Sequence, residues 1–131
     1  MKRTAIRNSM TLLPHTVGRD QTLAAAHHMM NEHRIRHLPV LAGGKLVGIV
    51  SDRDLKFIEA LKDVDPERVT IEEAMSQEPY TVPPETPLGD VVRTMATERY
   101  GAALVVDHGK VVGIFTAIDA MRLLADVFEK S

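Results

Sequence analysis

The second half of this chain repeats the first without a gap. Shifted by 65 residues, Arg3 meets Arg68, Ile6 meets Ile71, Met10 meets Met75 and Pro14 meets Pro79. Thr16-Val17 meets Thr81-Val82, Leu23 meets Leu88, Met30 meets Met95 and Arg34 meets Arg99. The match continues through Val40 on Val105, Lys45 on Lys110, Gly48-Ile49 on Gly113-Ile114 and Asp54 on Asp119. Each half alone would bury little core. A chain of 131 residues is one ordinary domain by size, so the halves are expected to co-fold over 1–131. Duplicated halves are expected to pack about a pseudo-two-fold axis, with two related half-sites in the cleft between them.

Composition narrows the function classes. The apolar fraction of 44% is that of a globular protein, and no apolar run is long enough for a membrane span. There is no cysteine, which excludes disulfides and thiolate metal sites. The first ten residues lack a signal-type apolar stretch, so the expected location is the cytoplasm. A net charge of -2 gives no global attraction to nucleic acid, and few aromatics are present for base stacking. The charge is unevenly shared. Residues 10–57 carry six Lys/Arg against four Asp/Glu, and residues 75–122 carry four against six.

Each repeat reads as the same series of elements. A short extended piece holds Thr16-Val17 or Thr81-Val82, and a helix follows over 22–33 or 87–98. Leu23, Ala26 and Met30 recur at helical spacing, as do Leu88, Val91, Val92 and Met95, which makes them core positions. Thr86-Pro87 reads as an N-cap followed by proline at the first helical position. Two β-runs then flank a glycine turn: 38–41 and 46–50 around Gly43-Gly44, then 103–106 and 111–115 around His108-Gly109. A second helix closes each repeat, over 52–62 and 117–129. Thr70-Ile-Glu-Glu73 reads as a capping box opening a short helix.

The chemistry concentrates where each hairpin enters its second helix. Gly48-Ile-Val-Ser51-Asp-Arg-Asp54 and Gly113-Ile-Phe-Thr116-Ala-Ile-Asp119 share the pattern Gly-x-x-(Ser/Thr)-x-x-Asp. A hydroxyl followed by an acid three residues on is a helix cap, and that structural role stands open beside a binding one. The binding role rests on two points. A helix mouth favours phosphate, with the hydroxyl and carboxylate placed for phosphate and ribose oxygens. A glycine within a strand marks close approach of another group, whether ligand or packed chain. The histidines His27, His28 and His33 do not share a helix face with a completing ligand set, so they read as surface residues and not as a metal site. No nucleophile–base spacing is present, and a non-enzyme is expected.

In this order, twice, these pieces resemble a tandem pair of CBS motifs, the regulatory module named after cystathionine β-synthase. The residues that carry the resemblance are Met10 and Met75, the Thr-Val pieces, His37-Leu-Pro-Val40, Leu46–Val50 with Ser51–Asp54, and Val111–Ile114 with Thr116–Asp119. The motifs run over about 3–62 and 68–129. The resemblance implies an α+β fold of two β-α-β-β-α units, and a cleft holding an adenosine nucleotide such as AMP, ADP or ATP. It also implies a homodimer and a stand-alone regulatory role toward a target protein. No prosthetic group is expected, and Mg²⁺ is an optional companion of the nucleotide. Carried over, Ser51 and Asp54 serve one site and Thr116 and Asp119 the other. Thr16, Ile35, Arg36, His37, Thr81, Tyr100, Gly101 and Ala102 are wall residues, and Gly48 and Gly113 allow close approach. Arg36 and Arg53 place positive charge at the first site. Gly101 and Ile118 stand at those places in the second, so two unlike sites are expected. The alternative is a dimerisation or docking module whose boxes are only caps. In the homodimer, the stripes Leu55, Ile58, Leu61 and Met121, Leu124, Ala125, Phe128 are the expected partner faces, part of each also covering the chain's own core.

Overall fold

The computed structural model describes residues 4–12, 14–61 and 64–130. Along the chain run β1 (Thr11–Leu12), β2 (Val17–Gly18), α1 (Leu23–His33), β3 (His37–Ala42), β4 (Lys45–Ser51) and α2 (Asp52–Glu59). The second repeat continues with β5 (Thr81–Val82), α3 (Leu88–Glu98), β6 (Ala102–Asp107), β7 (Lys110–Thr116) and α4 (Ala117–Glu129). Single 3-10 turns stand at Ile6–Asn8 and Ile71–Glu73. The fold is α+β, and the expected order of elements is present in both repeats.

The chain forms two compact units whose limits differ from those of the repeats. One is His15–Pro79; the other joins the N-terminal segment through Pro14 to Tyr80 and the chain beyond it. In the first unit, the sheet runs β2-β3-β4, with β2 parallel and β4 antiparallel to β3. In the second, the order is β1-β7-β6-β5, with the same parallel and antiparallel relations around β6 and an added antiparallel β1. The expected motif ends at 3 and 62 lie outside the described residues.

The lead-in to each repeat explains the division. Met75-Ser76 belongs to the opening stretch of the second repeat but pairs with the first: Ile49 N donates to Ser76 O at 3.0 Å, and Ser76 N to Ile49 O at 2.9 Å. Thr11-Leu12 belongs to the opening stretch of the first repeat but pairs with Ile114 and Gly113 of β7. The same exchange occurs at the helix starts. Ile71 N donates to Gln21 O at 2.8 Å, and Ile6 N to Thr86 O at 2.7 Å.

That exchange corrects one expectation. Helix α3 begins at Leu88, its N-cap is Pro87, and no side chain caps it. Leu88 N donates instead to Thr4 O at 2.6 Å, so backbone of the N-terminal segment does the work expected of the Thr86 hydroxyl. Helix α1 has both devices: Ala25 N donates to Thr22 Oγ1 at 3.2 Å, and Leu23 N donates to Val69 O at 3.0 Å, the counterpart of the Leu88 bond to Thr4.

Each unit has its own core. Leu23, Ala26 and Met30 of α1 meet Leu38, Val40, Val50, Leu55 and Ile71 in one. Val91 and Met95 of α3 meet Ile6, Ala103, Val105 and Phe115 in the other. Leu23, Ala26, Met30, Val91 and Met95 are therefore the core positions that their periodicity predicts, with Leu88 half-buried beside them, whereas Val92, expected in the core, is exposed. Leu55 is fully buried, so it belongs to its own unit's core and not to a partner face. At the hairpin turns, Gly43, Gly44 and Gly109 take positive φ of 57°, 82° and 77°, the conformation that tight hairpins require.

Candidate functional site

Each box residue sits at the junction of a strand and a helix. In the first unit, Ser51 ends β4 opposite His37 of β3. In the second, Thr116 ends β7 opposite Ala102 of β6. Both boxes close reciprocally. Asp54 N donates to Ser51 Oγ at 3.1 Å while Ser51 N donates to Asp54 Oδ2 at 2.8 Å. Asp119 N donates to Thr116 Oγ1 at 3.2 Å while Thr116 N donates to Asp119 Oδ2 at 2.8 Å. The first helical amides are also engaged: Asp52 N donates to Arg36 O at 2.9 Å and Ala117 N to Gly101 O at 3.0 Å. Two of the first three amides of each helix are thus satisfied within the fold, which leaves the amides of Arg53 and Ile118 at the two mouths.

The remaining wall residues collect by repeat. Thr16 stands just before β2, whose Val17 pairs with Val40, so it lies beside the start of β3 along with Arg36 and His37. Thr81 pairs with Leu104, which brings it beside Ala102. All candidates from the first repeat therefore fall within one unit, and all candidates from the second within the other.

Gly48 and Gly113 are buried at equivalent places, and what approaches them is protein. Met75 and the Ser76 carbonyl lie over Gly48, and the Met10 side chain lies over Gly113. Their requirement for glycine is met by packing of the exchanged lead-ins.

The two mouths differ in charge. In the first, Asp52 Oδ2 lies 3.3 Å from Arg36 Nη1 and 3.0 Å from Lys56 Nζ. Arg36 and Lys56 are therefore tied to a carboxylate, and Arg53 is a further exposed cation beside the box. In the second, Ala117 and Met121 replace Asp52 and Lys56, and Arg122 Nη1 stands 3.7 Å from Asp119 Oδ1.

Sequence reading missed two ring contacts. Tyr80 stacks on Tyr100 with centroids 5.1 Å apart, so the chain's two tyrosines form one aromatic surface next to Thr81. At the equivalent place in the first repeat, His15 stacks on His33 with centroids 3.6 Å apart. The available signal was a ring immediately before each Thr-Val piece. Among the described residues, no group of three or more His, Asp or Glu converges as a metal site, and no helix is long and apolar enough to cross a membrane.

The groove between the two helices of each repeat also differs in character. Between α1 and α2, a pocket of about 430 Å³ is lined by His27, Asn31, Arg34, Arg36, Asp52 and Lys56, with Met30 and Ile35. His27 Nε2 lies 2.5 Å from Glu59 Oε1 across these helices. Between α3 and α4, a groove of about 990 Å³ is lined mainly by apolar residues, including Leu88, Val92, Met121, Leu124 and Val127.

A profile of the CBS domain matches residues 6–59 and 71–126. The inosine-5'-monophosphate dehydrogenase of Korarchaeum cryptofilum is 34% identical over 105 residues, which cover 79% of this chain and 21% of that enzyme. The crystal structure of the CBS domain pair of protein MJ0100, in complex with 5'-methylthioadenosine and S-adenosyl-L-methionine, matches with a TM-score of 0.86 at 29% identity. That match covers 95% of this chain and 98% of the other. CBSX2 in complex with AMP matches with a TM-score of 0.77 at 27% identity, covering 94% and 97% of the two chains.

Proposed function

This chain belongs to the CBS-domain family, with two CBS motifs in tandem, and from that premise we propose that it is a regulatory sensor that binds an adenosine nucleotide and reports to a target protein. The observation that carries the reading is the recurrence of one arrangement at two helix mouths. In each, a hydroxyl and one carboxylate oxygen close the cap, and one amide of the first turn lies between them. The second oxygen of Asp54 or Asp119 accepts from the ribose diol, and the Ser51 or Thr116 hydroxyl meets a phosphate or ribose oxygen. Thr16, Ile35, Arg36 and His37 wall the first site. Thr81, Tyr100, Gly101 and Ala102, with Tyr80, wall the second.

The ligands named for similar structures support the adenosine class: 5'-methylthioadenosine and S-adenosyl-L-methionine with MJ0100, and AMP with CBSX2. The sites are unlike. Arg53, Arg36 and Lys56 suit the first to a polyphosphate, with or without Mg²⁺, through charge-assisted hydrogen bonds. The second, with Ile118 and Met121 in place of Arg53 and Lys56, suits a less charged adenosine compound. The role is regulatory and not catalytic, it is played in the cytoplasm, and copies of the chain associate as a homodimer.

A thermal-shift panel of AMP, ADP, ATP, NAD, S-adenosylmethionine and GTP, each with and without Mg²⁺, tests the reading. A ligand at a hundred times its dissociation constant adds about 2.7 kcal/mol to stability. For a domain of this size that is several degrees in melting temperature. The expected result is a shift with one or more adenosine compounds and none with GTP. The reciprocal closure of both boxes favours a second reading, a docking module whose Ser/Thr and Asp residues serve only as caps. A flat response across the panel, with calorimetry equally silent, selects that reading.

A further inference from the structure

One carboxylate oxygen of Asp52 holds two cations, Arg36 Nη1 at 3.3 Å and Lys56 Nζ at 3.0 Å. The Asp52 side chain is 22% exposed, against 75% for Arg36 and 68% for Lys56. The acid is thus fixed against the fold, and the two long side chains are drawn over it. All three line the pocket between α1 and α2, together with Arg34 and Asn31. With His27 counted as neutral, that lining carries three positive charges against one negative. The pocket adjoins the first helix mouth, because Asp52 stands between Ser51, the cap of α2, and Arg53. The amide of Asp52 donates to Arg36 O at 2.9 Å, which ties the start of α2 to the segment that carries Arg36.

The shared architecture does not require this acid. In the second repeat, Ala117 stands in place of Asp52, Met121 of Lys56 and Gly101 of Arg36. Thr116 and Asp119 close their cap without any of the three. Nor is Asp52 the sole acid that favours the start of α2, since Asp54 lies in the same first turn. What Asp52 adds is a negative charge in a pocket otherwise built to attract one. It repels a second anion at short range, and it already occupies donors of Arg36 and Lys56 that a phosphate would use.

We propose that Asp52 sets how much phosphate charge the first site accepts, as an internal anion that a polyphosphate tail must displace from Arg36 and Lys56. The proposal rests on the nucleotide reading above and adds the residue that selects among nucleotides. A single phosphate, held by the Ser51 hydroxyl and the Arg53 amide, leaves the Arg36–Asp52–Lys56 cluster intact. A longer tail exchanges one anion for another at the same two cations and is left facing the carboxylate. Mg²⁺ on the tail lowers the tail's own charge and so removes part of that repulsion.

Calorimetry of AMP and ATP, in EDTA and again with Mg²⁺, tests the proposal. Every protein carries Asp119→Ala, so that the first site dominates the signal. Asp52→Asn keeps the size of the side chain and removes its charge. It should tighten metal-free ATP roughly tenfold and change AMP by less than about twofold, and ATP should then depend less on Mg²⁺. Lys56→Met, which installs the second repeat's own residue, should weaken ATP and spare AMP. Circular dichroism confirms that each variant is folded. No binding of either nucleotide, with or without the Asp52 and Lys56 changes, overturns the nucleotide reading and this inference with it. An ATP-to-AMP affinity ratio that Asp52→Asn leaves unmoved or lowers overturns this inference alone. So does a Lys56→Met variant that binds ATP as tightly as before.

Discussion

A β-carbon on Gly48 would stand 2.6 Å from the carbonyl oxygen of Ser76, closer than side chains approach backbone. Ser76 is held there by its paired hydrogen bonds with Ile49 and cannot yield cheaply. At Gly113 the nearest atom is the Met10 sulfur, 2.2 Å from the built position, on a flexible side chain that can turn away. Gly48→Ala should therefore destabilise by about 1–3 kcal/mol, and Gly113→Ala by less. Urea melts of the two variants check the order, and equal losses would contradict it.

The carboxylates of the two boxes serve cap and ligand with different oxygens. Asp54→Ala and Asp119→Ala should each lose about 1 kcal/mol of stability, the size of a cap. Nucleotide affinity, measured by calorimetry on the folded variants, should fall more steeply than that at the site affected. An affinity that survives both changes would leave the aspartates as caps only.

On α2, two neighbouring apolar residues have opposite fates. Leu55 is fully buried against the first core, whereas Phe57 is 66% exposed. Leu55→Ala should cost about 2–5 kcal/mol. Phe57→Ala should stay within about 0.5 kcal/mol. Thermal melts distinguish them, and a large loss at Phe57 would show that α2 packs differently.

Helices α1 and α3 both end on an arginine in the left-handed region, Arg34 at φ 55° and Arg99 at φ 62°. That conformation is unfavourable for a residue with a β-carbon. Arg34→Gly and Arg99→Gly should each stabilise the fold by about 1 kcal/mol, read as a higher denaturation midpoint. A lower midpoint would mean that the arginine side chains contribute more than the backbone strain takes away.

Much of the fold is legible because its signals are local. The stripes of α1 and α3, the glycine turns and the Ser51–Asp54 and Thr116–Asp119 boxes each lie within a few residues, and the repeat confirms each one twice. The Thr86 cap failed because its competitor is remote: the carbonyl of Thr4 accepts from Leu88, and no pattern around residue 86 announces it. The candidate site divides in the same way. The residue types at each mouth could be read, but not that Asp52 would draw in Arg36 and Lys56, or that Tyr80 would meet Tyr100.

The amino-acid sequence by itself determined the duplication, the element order and the two capped helix mouths, because periodicity, turn residues and caps act over one or two turns of chain. Tertiary structure decided where the lead-ins lie. Ser76 bridges to Ile49 on β4 of the first repeat, and Thr11-Leu12 joins the sheet of the second, through backbone hydrogen bonds that carry no side-chain signature. It also decided which face of each second helix is spent on its own core. Leu55 and Phe57 look alike along the chain, and only the direction in which α2 leaves β4 places one inside and the other outside.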